Sequence, residues 1–110
     1  MEVSELLETI KLLQPQRTKR KVDDSHWHVG KPYFIRTVTY HYTGMLVKVT
    51  PKELVLKDAA WIADDGRFME AVKSGAFSEV EPFPDGEVVI GRGALLDAYV
   101  VGFDLPRKQK

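Results

Sequence analysis

The chain of 110 residues contains no cysteine. That excludes a disulfide framework, a thiolate zinc site and a cysteine nucleophile. It also lacks a surplus of either charge, because sixteen Lys and Arg balance sixteen Asp and Glu. A globally basic nucleic-acid coat is thereby excluded, and any contact with a polyanion has to rest on a local patch. No apolar run approaches the ~20 residues that span a bilayer. The first residues, Met-Glu-Val-Ser-Glu, lack the basic region and apolar stretch of a secretory leader. What is present is 44% hydrophobic and 29% charged, enough apolar material for one small core and too much for a disordered tail. The expectation is a single soluble domain with no membrane partner.

The chain divides into an N-terminal arm (1–32), a β-rich body (33–104) and a polar tail (105–110). Ser4 suits a helix N-cap, and Glu5 and Glu8 suit the positive end of the helix dipole. Leu6, Leu7, Ile10 and Leu13 then recur at helical spacing until Pro15 ends the pattern. A helix this short is marginal alone. Leu6, Ile10 and Leu13 are therefore expected to dock on the body or on another subunit. Arg17, Lys19, Arg20 and Lys21 follow in a run without apolar periodicity. The ordinary reading is a solvated linker; the sharper one is an arm that lies on phosphates or on an acidic protein surface.

From Tyr33 onward the signals are those of strands. Tyr33 to Tyr42 is aromatic and β-branched, and Thr43-Gly44 predicts a bend or bulge. Met45 to Val49 and Leu54 to Leu56 predict a hairpin, with Pro51 presetting its turn. Asp64 or Asp65 is a candidate cap for a short helix over about 64–75. Phe68, Met69 and Val72 would face inward, and Gly75 would sit at its C-terminus. Phe77 to Gly86 predicts a loop, punctuated by Pro82 and Pro84. Val88 to Ile90 and Leu95 to Val101 predict the last strands, separated by Gly91-Arg92-Gly93. The expected architecture is mainly β: a small five-stranded barrel, with an N-terminal helix and a short inserted helix.

Two segments carry a family resemblance. Gly44-Met45-Leu46-Val47-Lys48-Val49 with Leu54-Val55-Leu56-Lys57-Asp58-Ala59 resembles the first motif of the Sm-like proteins, members of the SH3-like small barrels. Val88-Val89-Ile90-Gly91-Arg92-Gly93-Ala94-Leu95-Leu96 resembles their second motif. The resemblance runs from about Tyr33 to Val101, with a long insertion between the motifs. It implies a ring of subunits joined by edge-strand pairing and an RNA pocket in the turns of the two motifs. That pocket uses Asp or Asn in the first turn, where this chain has Thr50-Pro51-Lys52-Glu53. It also uses Arg-Gly and a polar residue in the second, where this chain has Arg92-Gly93-Ala94. Half of the pocket is missing. Arg92 remains able to stack on a base or grip a phosphate, or to make a salt bridge to a neighbouring subunit. A fainter resemblance links Ile35 to Tyr40, Asp58 to Asp64 and Glu79 to Pro82 with small uncharacterised phage and bacterial proteins, and it brings no known activity.

The apolar strands Val88 to Ile90 and Tyr99 to Val101 carry little charge to defend an edge. Val88, Ile90, Tyr99 and Val101 are thus candidate interface residues for strand addition. Candidates for nucleic acid are Arg17, Lys19, Arg20, Lys21, Arg92 and, as stacking platforms, Tyr40 and Tyr42. Aromatic residues on a strand of a small domain more commonly belong to the core. His26 and His28 alternate on one side of an extended segment and are weak metal candidates, needing further ligands such as His41, Asp23 or Asp24. Their ordinary reading is an entry loop anchored by Trp27. Asp64-Asp65 reads as a helix cap before it reads as a carboxylate pair. Glu79, Glu81, Asp85 and Glu87 make an acidic surface. Neither a phosphate loop nor a nucleophile–base pair is spelled out. The expected function is a non-enzymatic homo-oligomeric module without cofactor, as in a component of a phage particle. The competing reading is an Sm-like ring protein that binds RNA or nucleotides. Its expected location is the cytoplasm, or the virion if a phage encodes it.

Overall fold

The computed structural model describes residues 26–110. The helix expected over Ser4 to Leu13 and the basic residues Arg17, Lys19, Arg20 and Lys21 lie outside the described residues. Six strands and one α-helix follow in order: β1 (Pro32–Thr37), β2 (His41–Val49), β3 (Glu53–Asp64), α1 (Phe68–Ser74), β4 (Glu79–Pro82), β5 (Glu87–Gly91) and β6 (Leu95–Val100). A 3-10 turn at Arg92–Ala94 links β5 to β6.

The barrel expectation is corrected. All six strands form one antiparallel sheet in the order β4-β3-β2-β1-β6, with β5 attached to β3. The sheet is not closed: among the described residues β5 pairs with β3 alone and β6 with β1 alone. Instead of a ladder between β5 and β6, the sheet has one long strand, β3, with two partners along one edge. Its twelve residues offer one edge to two successive partners, β5 along Glu53–Lys57 and β4 along Ala60–Asp64. Between these stretches Asp58 takes a positive φ of 48°, which breaks the ladder where the partner changes. The one helix among the described residues is internal, within the stretch between the two motifs.

Other departures have local causes. The aromatic run is split by a tight turn at Val38–Tyr40. There Thr37 Oγ1 accepts the Tyr40 N–H at 3.0 Å and donates to the Tyr40 carbonyl at 2.6 Å, so a threonine supplies the turn without glycine or proline. Gly44 lies inside β2 at a register shift. A Cβ there would stand 3.0 Å from the Leu56 side chain, so glycine permits the close approach of β2 and β3. The expected loop over 77–86 contains β4, because Val80 pairs with Ile62 and is buried. The β2–β3 hairpin and its Pro51 turn are observed as expected, with the Glu53 N–H on Thr50 Oγ1 at 2.9 Å.

The sheet is buried on both faces. Tyr33, Ile35, Leu46, Leu54, Leu56, Ala59 and Ile90 fill a core on one face, the alternation along β3 shifting by one residue at Asp58. The opposite face carries Phe34, Ala60, Ile62 and Val80, covered by Ala71 of α1, Phe77 and Val101. Phe68 and Val72 also pack there, whereas Met69 is exposed, contrary to expectation. The helix starts at Arg67 with no side-chain cap; Asp64 instead accepts the Gly66 N–H at 2.8 Å. Gly75 ends it in the left-handed conformation. The terminal segment adds to this face, with Leu105 buried and the Lys110 backbone exchanging two hydrogen bonds with Val80.

Candidate functional site

Three surface regions concentrate side chains with chemistry to offer. The first lies where the β2–β3 turn meets the Arg92 turn. The Arg92 N–H donates to the Lys52 carbonyl at 2.8 Å, and its guanidinium donates to the Thr50 carbonyl at 2.8 Å. The guanidinium also sits 5.9 Å from the Trp27 ring centroid, in cation–π range. Trp27 in turn packs on Tyr33 at 5.6 Å, and the Tyr33 hydroxyl accepts the His28 N–H. The two motifs, far apart in sequence, thus converge through Arg92, with exposed Lys52 beside them. The arrangement can present a cation and an aromatic face to one ligand. His26 and His28 are both exposed, and no group of three His, Asp or Glu side chains is placed to hold a metal ion among the described residues.

The second region is an aromatic groove of about 320 Å³ lined by Tyr40, Tyr42, Trp61, Glu81, Phe83 and two prolines. Tyr42, Trp61 and Glu81 lie directly opposite one another across β2, β3 and β4, so one sheet face presents all three. Tyr40 meets Trp61 edge-on at 5.6 Å, and Tyr42 stacks on Phe83 at 6.2 Å. Burial, then the neighbouring Tyr40, pushes the Tyr42 phenol above its usual range. Tyr40 and Tyr42 are therefore together in one site, but Arg92 is not in it. It sits at the far end of β2, roughly 25 Å of strand away at the rise per residue of an extended chain. Sequence reasoning missed Trp61 and Phe83, which join the groove only through strand register.

The third region is polar. On the helix-bearing face, Asp97, Arg36 and His41 are neighbours across β6, β1 and β2. Arg36 makes a two-pronged ion pair with Asp97 and lies 4.6 Å above the Phe68 ring. Hydrogen bonds from Arg36 hold the Asp97 carboxyl below its usual range against partial burial. His41 Nδ1 lies 2.8 Å from Asp65. Asp64 and Asp65 therefore engage different partners and do not form a carboxylate pair.

The edge strands carry their own chemistry. Val88 and Ile90 turn toward the first core and Val101 toward the second, all within their own subunit. The exposed apolar side chains are Val89, Leu96, Tyr99 and Val100. Among the interface candidates, Tyr99 is the exposed one; Leu6, Ile10 and Leu13 lie outside the described residues. No helix among the described residues is long and apolar enough to cross a membrane.

No protein-family model matches the chain, and no curated protein matches it. Among solved structures it is similar to a heptameric archaeal Sm protein, at 20% sequence identity and a TM-score of 0.49. The alignment covers 66% of this chain and 88% of that one.

Proposed function

We propose that the chain is a homo-oligomeric assembly module in which β5 of one copy adds to β6 of the next. The observation that carries this reading is the open sheet: among the described residues, β5 and β6 each have one paired side and one bare backbone edge. Val89 on β5 and Tyr99 on β6 are each 55% exposed, and Leu96 is 60% exposed. Glu87 and Asp97 are the only charges on the two strands. A bare edge with so little charge is a template for another strand. Because the two edges differ, the contact is head-to-tail, and it closes into a ring when the rotation per copy allows. Light-scattering mass after size exclusion, at low and high salt, tests it. A salt-stable multimer supports edge pairing; a monomer at all salt concentrations refutes it.

A second reading rests on its own observation. Arg92, held between Thr50 and Trp27 beside Lys52, offers a cation and a ring to a nucleotide, so each copy would contribute one contact to single-stranded RNA. The Thr50–Glu53 turn has no Asp or Asn and Ala94 is apolar, which leaves this contact without a base reader, and binding should therefore be weakly sequence-selective. Titration with a uridine oligonucleotide tests it. Affinity should fall with salt as counterions are released, and Arg92→Ala should lower the salt slope by about one. A flat response at low salt refutes it.

A further inference from the structure

The aromatic groove has no part in either reading. Its floor continues the first core face beyond the sheet bend, yet Tyr40 is 49% exposed, Phe83 40% and Trp61 36%. Four rings and two prolines surround one carboxylate, Glu81, and no lysine or arginine lines the groove. The Gln109 amide takes one Glu81 oxygen at 3.0 Å. Exposed Glu79 and Asp64, paired across β4 and β3, extend the negative rim. Arg107, beyond Phe83, is engaged by Asp58 at 3.2 Å. Ring faces attract cations and the rim repels phosphates, so the groove suits a cationic peptide and opposes a nucleic-acid backbone.

The chain itself supplies such a peptide. Pro15-Gln16-Arg17-Thr18-Lys19-Arg20-Lys21 holds four positive charges, no acid and a proline. Proline rings and extended basic segments both pack on aromatic grooves. Extended chain from His26 back to Arg17 spans up to about 30 Å, longer than the roughly 25 Å of strand that separates the Trp27 end from the Tyr40 end. We propose that this groove binds the chain's own basic segment, 15–21, with an Arg or Lys side chain against Tyr40 and Trp61 and its charge toward Glu81. The proposal does not depend on edge pairing.

The test uses the full chain labelled with 5-fluorotryptophan. Its two tryptophans give two fluorine lines, assigned with Trp61→Phe. Replacing Arg17, Lys19, Arg20 and Lys21 together by Gln should move the Trp61 line and leave the Trp27 line in place. A synthetic peptide of residues 15–21, added to that variant, should return the Trp61 line saturably toward its original position. Glu81→Gln should raise the half-saturating concentration about two- to fivefold, the range for an exposed charge pair. A Trp61 line that is the same in the parent and the Gln variant overturns the proposal. So does movement of the Trp27 line instead, or a Trp61 response to a uridine oligonucleotide but not to the peptide. Light-scattering mass on the same samples reports edge pairing separately.

Discussion

Gly75 ends α1 at φ 72° and ψ 25°, a conformation that an alanine enters at a cost of about 1–2 kcal/mol. A Cβ at this position would lie 2.6 Å from Phe103 Cδ1 and 2.9 Å from Cε1, well inside the ~3.5–4.0 Å of a favourable carbon–carbon contact. Phe103 would have to move, and it meets Phe77 edge-on at 5.8 Å in the second core. Overpacking of this kind costs about 1–3 kcal/mol. Gly75→Ala should therefore destabilise the fold by about 3 kcal/mol in total. In a Phe103→Ala background the clash is absent, and only the backbone cost of about 1–2 kcal/mol should remain. Urea unfolding of the four proteins of this cycle, at one fixed protein concentration because association shifts the midpoint, gives the coupling between the two residues. Equal losses in the two backgrounds would refute the Phe103 clash. No loss in either would refute the left-handed cap.

Other perturbations follow from the same packing. Thr43 is fully buried and its hydroxyl has no partner among the described residues, so Thr43→Val should stabilise the fold by about 1 kcal/mol in urea unfolding. The Asp97 carboxyl is held low by Arg36, so the pair's contribution is complete above the ordinary carboxylate value of about 3.9 and is lost as pH falls through the lowered folded value. Asp97→Asn should flatten stability against pH below about pH 4, by less than about 1 kcal/mol because both groups are partly exposed. At Gly44, where a Cβ meets Leu56 at 3.0 Å, Gly44→Leu should overpack the first core and lower the denaturation midpoint by more than Gly44→Ala does.

How much of this was legible in the sequence depended on the range of the interaction. Pro51 and Gly75 act within their own turns, and both did what their residue types require. The Thr37–Tyr40 turn carries no glycine or proline, so its aromatic flanks read as one continuous strand. Pro82 and Pro84 made β4 read as loop, although Val80 needed only a partner strand to be buried. Barrel closure was misread because a count of strands does not reveal that β3 accepts two partners on one edge. The groove was half visible, as Tyr40 and Tyr42; Trp61 and Phe83 come from other elements, and only the register of three strands brings them to the same face.

The most direct test of edge pairing uses two variants, Val89→Lys on β5 and Tyr99→Lys on β6. Both side chains are exposed in the single subunit, so each lysine should leave monomer stability within about 0.5 kcal/mol. Each charge should block the edge that carries it. Light-scattering mass should show a monomer for each variant alone, and a dimer, no larger, when the two are mixed, since each still has one intact edge for the other. Multimers of unchanged mass in both variants, or a mixture that stays monomeric, would contradict head-to-tail pairing of β5 with β6.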